Sequence, residues 1–260
     1  MKIRLDAAVA QRGGVTRSQA RSLIMEGRVS VEGVVATKAG QNIAPEAKIE
    51  IERPRRFVSR GGEKLERALD VFGIDPTGAE ALDVGASTGG FTDCLLQHGA
   101  ARVTAVDVGY GQLDWRLRND PRVRALERAN FRKLSDDAFP SGFDLIAIDA
   151  SFISLRTILA RAVAYLREDG VIVALVKPQY EAGRARVGSG GVVRDAATHR
   201  DVLRTLRDAV IALGLMPVAL AASPLRGPAG NREFFMELRR TGVPFGDARL
   251  EAVLDEGTIS

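Results

Sequence analysis

Residues 83–93 read Asp83-Val84-Gly85-Ala86-Ser87-Thr88-Gly89-Gly90-Phe91-Thr92-Asp93, a glycine-rich turn running straight out of the apolar stretch Ala81–Gly85. Such a turn between a buried strand and a helix lets a ligand approach the backbone closely. The dinucleotide-binding fingerprint would need glycine at 85, 87 and 90, and Ser87 breaks it; no Gly-Lys-Ser/Thr follows, so there is no P-loop either. Outward from this turn, apolar runs recur at Val103–Val108, Leu145–Ile148 and Val171–Val176, separated by helical stretches. Runs of this length with helices between them predict buried parallel strands in βαβ units. Glu63–Phe72 precedes them as a helix with Leu65, Leu69 and Phe72 on one face. Met216–Ala221 and Phe234–Leu238 are joined only by SPLRGPAGNRE, too short for a crossover helix, so this last pair is expected to be antiparallel.

Ionisable residues fall where such a sheet binds ligands, at the C-terminal ends of strands. Asp83 ends the first strand. Asp107 ends the second, 22 residues after Gly85, about where an acid grips ribose hydroxyls in nucleotide-binding α/β folds. Asp149 ends the fourth strand, Lys177 the fifth, and Glu233 begins the last. A lysine after six buried apolar residues needs a partner, and Asp149 on the neighbouring strand is the obvious one. Lys64 is a candidate fourth member; taken alone, it reads as a surface charge. Asn130, after a third strand-like stretch that lies between Val103–Val108 and Leu145–Ile148, reads equally well as a cofactor contact or a turn residue.

The first sixty residues are built differently. They carry 12 Lys/Arg against 6 Asp/Glu, whereas the remaining 200 carry 25 against 27. Charge alone leaves a polyanion-binding head and a solvated surface equally good explanations. A helix opens at Thr16 or Arg17-Ser18 and runs to Met25-Glu26, with Gly27 as its stop. Short alternating strands follow at Val29–Val31, at Val34-Val35 after a Glu32-Gly33 turn, and at Lys48–Ile51. Residues 53–59, RPRRFVS, read as a linker, giving expected domains at 1–52 and 60–260.

Several function classes are disfavoured. The chain has 260 residues, 45% hydrophobic and 27% charged, which is ordinary globular composition. One cysteine, Cys94, allows no internal disulfide, and with only His98 and His199 beside it a metal site is not expected. No apolar run approaches the roughly 20 residues of a spanning helix, and MKIRLDAAVAQRGG has no signal-peptide core, so a cytoplasmic protein is expected.

The turn, with Asp83 before it and Asp107 on the next strand, resembles the S-adenosylmethionine loop of Rossmann-like methyltransferases. The order Lys64, Asp149, Lys177, Glu233 resembles the Lys-Asp-Lys-Glu tetrad of FtsJ-like 2′-O-ribose methyltransferases. TRSQARSLIMEGRVSVEG resembles an S4 domain, a small RNA-binding fold. Together with SRGGEKLERAL, DASFISL, LVKPQYEAG and GNREFF, these segments resemble the TlyA (haemolysin A) family of rRNA methyltransferases over essentially the whole chain. One departure is Arg55-Arg56-Phe57-Val58, where that family often has Arg-x-Trp-Val.

The resemblance implies an α/β fold: a Rossmann-like class I methyltransferase sheet with a terminal antiparallel hairpin, behind a small α+β S4-like domain. It implies S-adenosylmethionine (SAM) as cofactor, held by Asp83, Gly85, Ala86, Ser87, Thr88, Gly89, Gly90, Asp107, Asn130 and Asp149. Ribosomal RNA is the implied partner, with cytidine ribose of the large subunit alone, or of both subunits, as the target. Arg4, Arg17, Arg21 and Arg28 are the candidate RNA contacts of the head. Arg17 and Arg21 are four apart and share a helix face. Arg184 and Arg186 lie in a glycine-rich loop that reads equally as an RNA clamp and as plain surface. Lys177 is either a neutral base for the 2′-OH or a cation that orients and stabilises the developing alkoxide. Amino methylation is disfavoured, because Asp149-Ala150-Ser151-Phe152 lacks the proline pair of those enzymes; Phe152 reads as a base-stacking ring or a core aromatic. Pyrimidine C5 methylation needs a cysteine near the fourth or fifth strand, and Cys94 lies elsewhere. The rival classes are a non-catalytic ribosome assembly factor and a haemolysin.

Overall fold

A computed structural model describes residues 2–52, 56–227 and 229–256. The chain divides into two compact units, residues 1–55 and 56–260.

The first unit contains β1 (Ile3–Arg4), α1 (Leu5–Gly13), α2 (Arg17–Met25), β2 (Val29–Val31), β3 (Val34–Val35), β4 (Asn42–Ile43) and β5 (Ile49–Ile51). Thr16 caps α2 in a reciprocal box with Gln19, which satisfies donors the helix start would otherwise leave free. Glu32 and Gly33 form the two-residue turn between β2 and β3, both with positive φ, as a tight hairpin requires. The sheet order is β3-β2-β5, all antiparallel, and β1 pairs separately with β4. These two-residue strands carry too little periodicity to be seen in the sequence. Leu5, Val9, Leu23, Ile24 and Val29 form the core.

The second unit contains α3 (Arg60–Phe72), β6 (Glu80–Val84), α4 (Gly90–Gln97), β7 (Arg102–Val106), α5 (Trp115–Arg118), β8 (Val123–Leu126), β9 (Phe143–Ile148), α6 (Leu155–Tyr165), β10 (Leu166–Val176), α7 (Pro178–Glu181), α8 (Ala196–Ala212), β11 (Met216–Ala222), β12 (Phe234–Arg239) and α9 (Asp247–Asp255). The strands form one sheet in the order β11-β12-β10-β9-β6-β7-β8. All neighbours from β10 to β8 are parallel, and β12 runs antiparallel to both β10 and β11. The chain moves outward from β6 through β7 to β8, then crosses back to β9. The order therefore reverses between β6 and β9, where open α/β sheets form a ligand crevice.

Both faces of the sheet are covered, so the strands are apolar throughout rather than alternating. Leu82, Val84, Ile146 and Ile148 face a core that includes Ile158 of α6 and Val202 and Leu206 of α8. Ala81, Leu145, Ala147, Val173 and Phe235 face the other, with Leu65 and Leu69 of α3 and Phe91 and Leu95 of α4. Phe57 belongs to this second core at 2% exposure, and the Val58 amide donates to Asp93 Oδ2 at 2.8 Å. The C-terminal part of the expected 53–59 linker is therefore packed into the second unit, because an aromatic ring is worth most when buried. Residues 53–55 of that stretch lie outside the described residues. No helix among the described residues is long and apolar enough to cross a membrane.

Candidate active site

The strand ends around the switch point are held at close range. Gly85 has φ +86, and a Cβ there would lie 2.5 Å from the Asp149 carbonyl oxygen. The Asp149 amide donates to Val84 O at 2.9 Å, joining the β6 and β9 ends. Ser87 takes a left-handed conformation, φ +49, which a non-glycine residue adopts only when its surroundings hold it there. The holding group is Asp107, which accepts from the Ser87 amide at 2.8 Å and from the Gly109 amide at 2.7 Å. A cavity of about 470 Å³ opens beside this turn. Gly85, Ser87, Asp107, Asn130 and Asp149 line it, with Val108, Phe131, Phe152 and Ile158 as apolar wall. Its size and mixed lining suit a nucleoside-sized ligand. Asn130 also accepts from the Arg132 amide at 3.2 Å, so it is a turn residue as well as a wall residue.

Asp83, Ala86, Thr88, Gly89 and Gly90 do not line that cavity. Asp83 has no exposed surface, and its Oδ2 accepts from the Thr92 amide at 2.9 Å and the Thr92 hydroxyl at 2.6 Å. It straps the end of β6 to the first turn of α4; its Oδ1 is buried without a hydrogen-bond partner. Gly89 and Gly90 are required by packing: Cβ atoms there would meet the Leu117 side chain at 2.4 Å and the Ser59 hydroxyl at 2.2 Å.

Burial pushes the Asp83 carboxyl up to about 7, against the pull of Thr92. From about pH 4 to 7 the unfolded chain has lost this proton while the folded chain keeps it, so stability falls as pH rises, by at most about 1.4 kcal/mol per pH unit. The Asp83→Asn protein is therefore expected to gain on the wild type in urea-unfolding free energy as pH rises through that window. A constant difference would show that burial does not raise this carboxyl.

Lys177 follows β10 directly. It forms an ion pair with Asp149, and its Nζ donates to Ser151 Oγ at 2.8 Å. Val176 and Phe234 are the last register pair of β10 and β12, so Lys177 and Glu233 flank it. Glu233, 1% exposed, accepts from Lys64 Nζ at 2.6 Å. Lys64 on α3 is 8% exposed, so its charge is inside the protein rather than on its surface. The four residues form two ion pairs on adjoining elements.

Three supporting residues have no obvious signal in the sequence. Ser151 gives Lys177 a second acceptor. Glu181, four residues past Lys177, accepts from Ser154 Oγ at 2.8 Å and the Leu155 amide at 2.6 Å, which fastens the turn after β10 to the loop after β9. Asn231 is 1% exposed; it donates to Gly191 O and accepts from the Val193 amide, both at 2.9 Å. The glycine-rich loop is thereby tied to the approach to Glu233. A pattern of Ser, Glu and Asn in loops is too common to single these out.

The candidate RNA arginines separate into three groups. Arg4, Arg17 and Arg21 all reach the side chain of Asp6. Arg28 pairs with Glu26 at 3.5 Å. Arg184 and Arg186 are exposed on a 3₁₀ turn, where Arg186 bonds to Asp201 at 3.0 Å and Ala182 O at 3.0 Å. Cys94 is buried in α4, and burial pushes its thiol pKa up, so it is a packing residue rather than a nucleophile. Among the described residues no group of three or more His, Cys, Asp or Glu side chains is placed to hold a metal ion.

Comparison with known proteins fits this architecture. The FtsJ-like methyltransferase family matches residues 57–240, and the S4 domain family matches residues 3–49. The 16S/23S rRNA (cytidine-2′-O)-methyltransferase TlyA of Mycobacterium tuberculosis is 47% identical over 92% of this chain and 90% of its own length. Hemolysin A of Brachyspira hyodysenteriae is 40% identical over 89% of this chain and 98% of its own. A solved structure of a Streptococcus thermophilus protein described as a hemolysin superposes with a TM-score of 0.75 at 41% identity, covering 98% of this chain and 95% of that one. With a match running from Phe57 through every strand of the large sheet, and these near full-length relatives, the chain belongs to the FtsJ-like methyltransferase family, in the TlyA group that carries an S4 domain ahead of the methyltransferase fold.

Proposed function

We propose that this protein is a SAM-dependent 2′-O-ribose methyltransferase of ribosomal RNA, acting on cytidine in the large subunit and, as in the 16S/23S relative, in the small subunit. The carrying observation is Lys177, fixed by Asp149 and Ser151 beside a nucleoside-sized cavity, with the buried Lys64–Glu233 pair joining α3 to the start of the adjoining β12. The donor set fits the cofactor. Asp107 offers a strand-end carboxylate on the cavity wall and Asn130 a polar edge. SAM supplies an electrophilic sulfonium methyl when bound there.

The chain's own residues then have the simpler tasks. A ribose 2′-OH is a poor nucleophile and must be aligned and have its proton removed or polarised. Lys177 is the group that meets this proton, in a direction set by Asp149 and Ser151. Glu233 and Lys64 hold the end of β12 beside it. The S4-like head, residues 1–52, docks on phosphates and RNA shape.

Phe152 supports an extruded nucleotide. Its ring is 89% exposed on a residue with φ +64, lies 5.3 Å from the Tyr180 ring and lines the cavity. A large ring held in a strained conformation and kept in solvent has the form of a stacking platform. Phe152→Ala is expected to raise KM for RNA about tenfold through lost stacking while leaving thermal stability unchanged or higher. A melting temperature that drops while KM stays constant would make Phe152 a packing residue instead.

The function is tested by incubating the protein with tritiated SAM and separately purified small and large ribosomal subunits lacking the modification. Label in RNA, with one linkage resistant to alkaline cleavage, is the expected result. Protein that binds SAM but labels neither subunit would point to a ribosome-binding factor without catalysis.

A further inference from the structure

Asp6, in the first turn of α1, has no exposed surface, yet three guanidiniums converge on it. Arg4 donates from Nε to Oδ1 at 3.1 Å and from Nη2 to Oδ2 at 2.9 Å. Arg17 Nη2 reaches Oδ1 at 3.1 Å, and Arg21 Nε reaches Oδ2 at 3.2 Å. A carboxylate offers about four acceptor positions, so these bonds use its capacity in full. Arginine has about five N–H donors, so each of the three keeps most of its donors for another acceptor. Their side chains are 47%, 52% and 56% exposed, so those donors are accessible.

The arrangement is held from several sides. Arg4 comes from β1, Asp6 from α1, and Arg17 and Arg21 from adjacent turns of α2. The Asp6 amide donates to Ala39 O at 3.0 Å, and a Cβ on Gly40 would lie 3.2 Å from Arg4 Nη2, so the turn at 39–41 backs the Arg4 guanidinium. Arg4, Arg17 and Arg21 hold the Asp6 carboxyl well below the usual carboxylate range, so it is ionised wherever the protein is folded at ordinary pH. Three cations around one anion leave an excess of positive charge at a single spot. A clamp between two helices needs only one arginine, and exposed ion pairs add little stability. Three planar forks gathered on one buried anion suit the bidentate recognition of phosphate.

We infer that Asp6 is a positioning residue that gathers Arg4, Arg17 and Arg21 into one preformed cradle for RNA phosphodiesters. This inference rests on the RNA-methylating function proposed above. It has an unusual sign, because an acid on an RNA-binding surface is required for binding.

The test uses the full-length protein and unmethylated large ribosomal subunits, with affinity measured by filter binding across a potassium chloride series. KM and kcat for methyl transfer and the affinity for SAM are measured alongside. Asp6→Asn adds one positive charge, so a surface acting through net charge alone would bind as tightly or more tightly. The cradle predicts binding about fivefold weaker or more, from charge-assisted bonds lost on misaligned forks, with a salt dependence lower by about one phosphate contact. KM for the subunits rises, while kcat at saturating subunits and SAM affinity stay at wild-type values. Arg17→Lys and Arg21→Lys keep the charge but lose the fork, and each is expected to bind about threefold weaker or more.

Wild-type affinity in a folded Asp6→Asn protein overturns the inference. If that substitution unfolds the small unit by circular dichroism, the lysine variants decide: wild-type affinity in both overturns the cradle, and loss in both upholds it. Wild-type protein that binds subunits without transferring methyl would defeat the proposed function, while the affinities of the variants would still decide the cradle. Wild-type protein that binds no subunit would overturn the cradle too.

Discussion

Lys177→Ala is expected to lower methyl transfer to RNA about a thousandfold, the middle of the range for a positioned proton-transfer group. SAM binding should remain near the wild-type value, because the cavity wall is built from other residues: Gly85, Ser87, Asp107 and Asn130. Equilibrium dialysis of labelled SAM together with single-turnover methylation separates the two quantities. Unchanged turnover would remove Lys177 from the chemistry. Lys177→Arg sorts its two candidate roles. Arginine keeps a cation but is never neutral in a protein, so it cannot accept the 2′-OH proton. A loss as large as that of alanine marks proton acceptance, whereas substantial residual activity marks orientation and alkoxide stabilisation. Ser151→Ala should fall between wild type and Lys177→Ala, since Nζ would keep Asp149 and lose its second acceptor.

Lys64→Met is expected to cost about 3–5 kcal/mol of unfolding free energy, because it leaves the Glu233 carboxylate buried and unpaired. Both partners are almost fully enclosed, and the bond spans 169 residues of sequence, so no local rearrangement replaces it. Methylation should fall with it. The double variant Lys64→Met/Glu233→Gln removes both charges together. It is expected to recover much of the stability, since an isolated charge costs far more than a neutral amide, and to recover no activity. Urea unfolding and the tritium assay read the two effects separately. A double variant that regains both would make the pair a structural ion pair with no part in the reaction.

The parts of the fold visible in the sequence are those with a periodic or compositional signature. Val171–Val176 reads as a buried strand because both faces of the sheet are covered. Met216–Ala221 and Phe234–Leu238 read as an antiparallel pair because the intervening loop holds no crossover helix, and they pair that way. The positions of Lys177 and Asp149 at strand ends are equally visible, since a charge ending an apolar run marks the edge of a sheet. Phe57 is less legible. It follows Pro54 and two arginines, so it reads as linker, yet the ring fills a gap against Gly62, where a Cβ would lie 2.3 Å from it. Asp83 is a second case: a strand-end acid reads as a cofactor ligand, and the fold turns its Oδ2 inward onto Thr92.

Residue order alone therefore sets the succession of strands and helices in the large sheet, the basic head, the glycine turn and the candidate reacting groups. Each of these follows from local pattern, that is, side-chain alternation, turn chemistry and the cost of ending a buried run in a charge. Pairing between distant residues does not follow from local pattern. That Lys64 meets Glu233, that Asp83 serves Thr92, and that Arg4, Arg17 and Arg21 all serve Asp6 are consequences of chain segments brought together by burial. Arg17 and Arg21 illustrate the difference: helical spacing puts them on one face, but their common acceptor comes from another helix. A buried charge must find a partner wherever the fold supplies one, and sequence distance has no part in that choice.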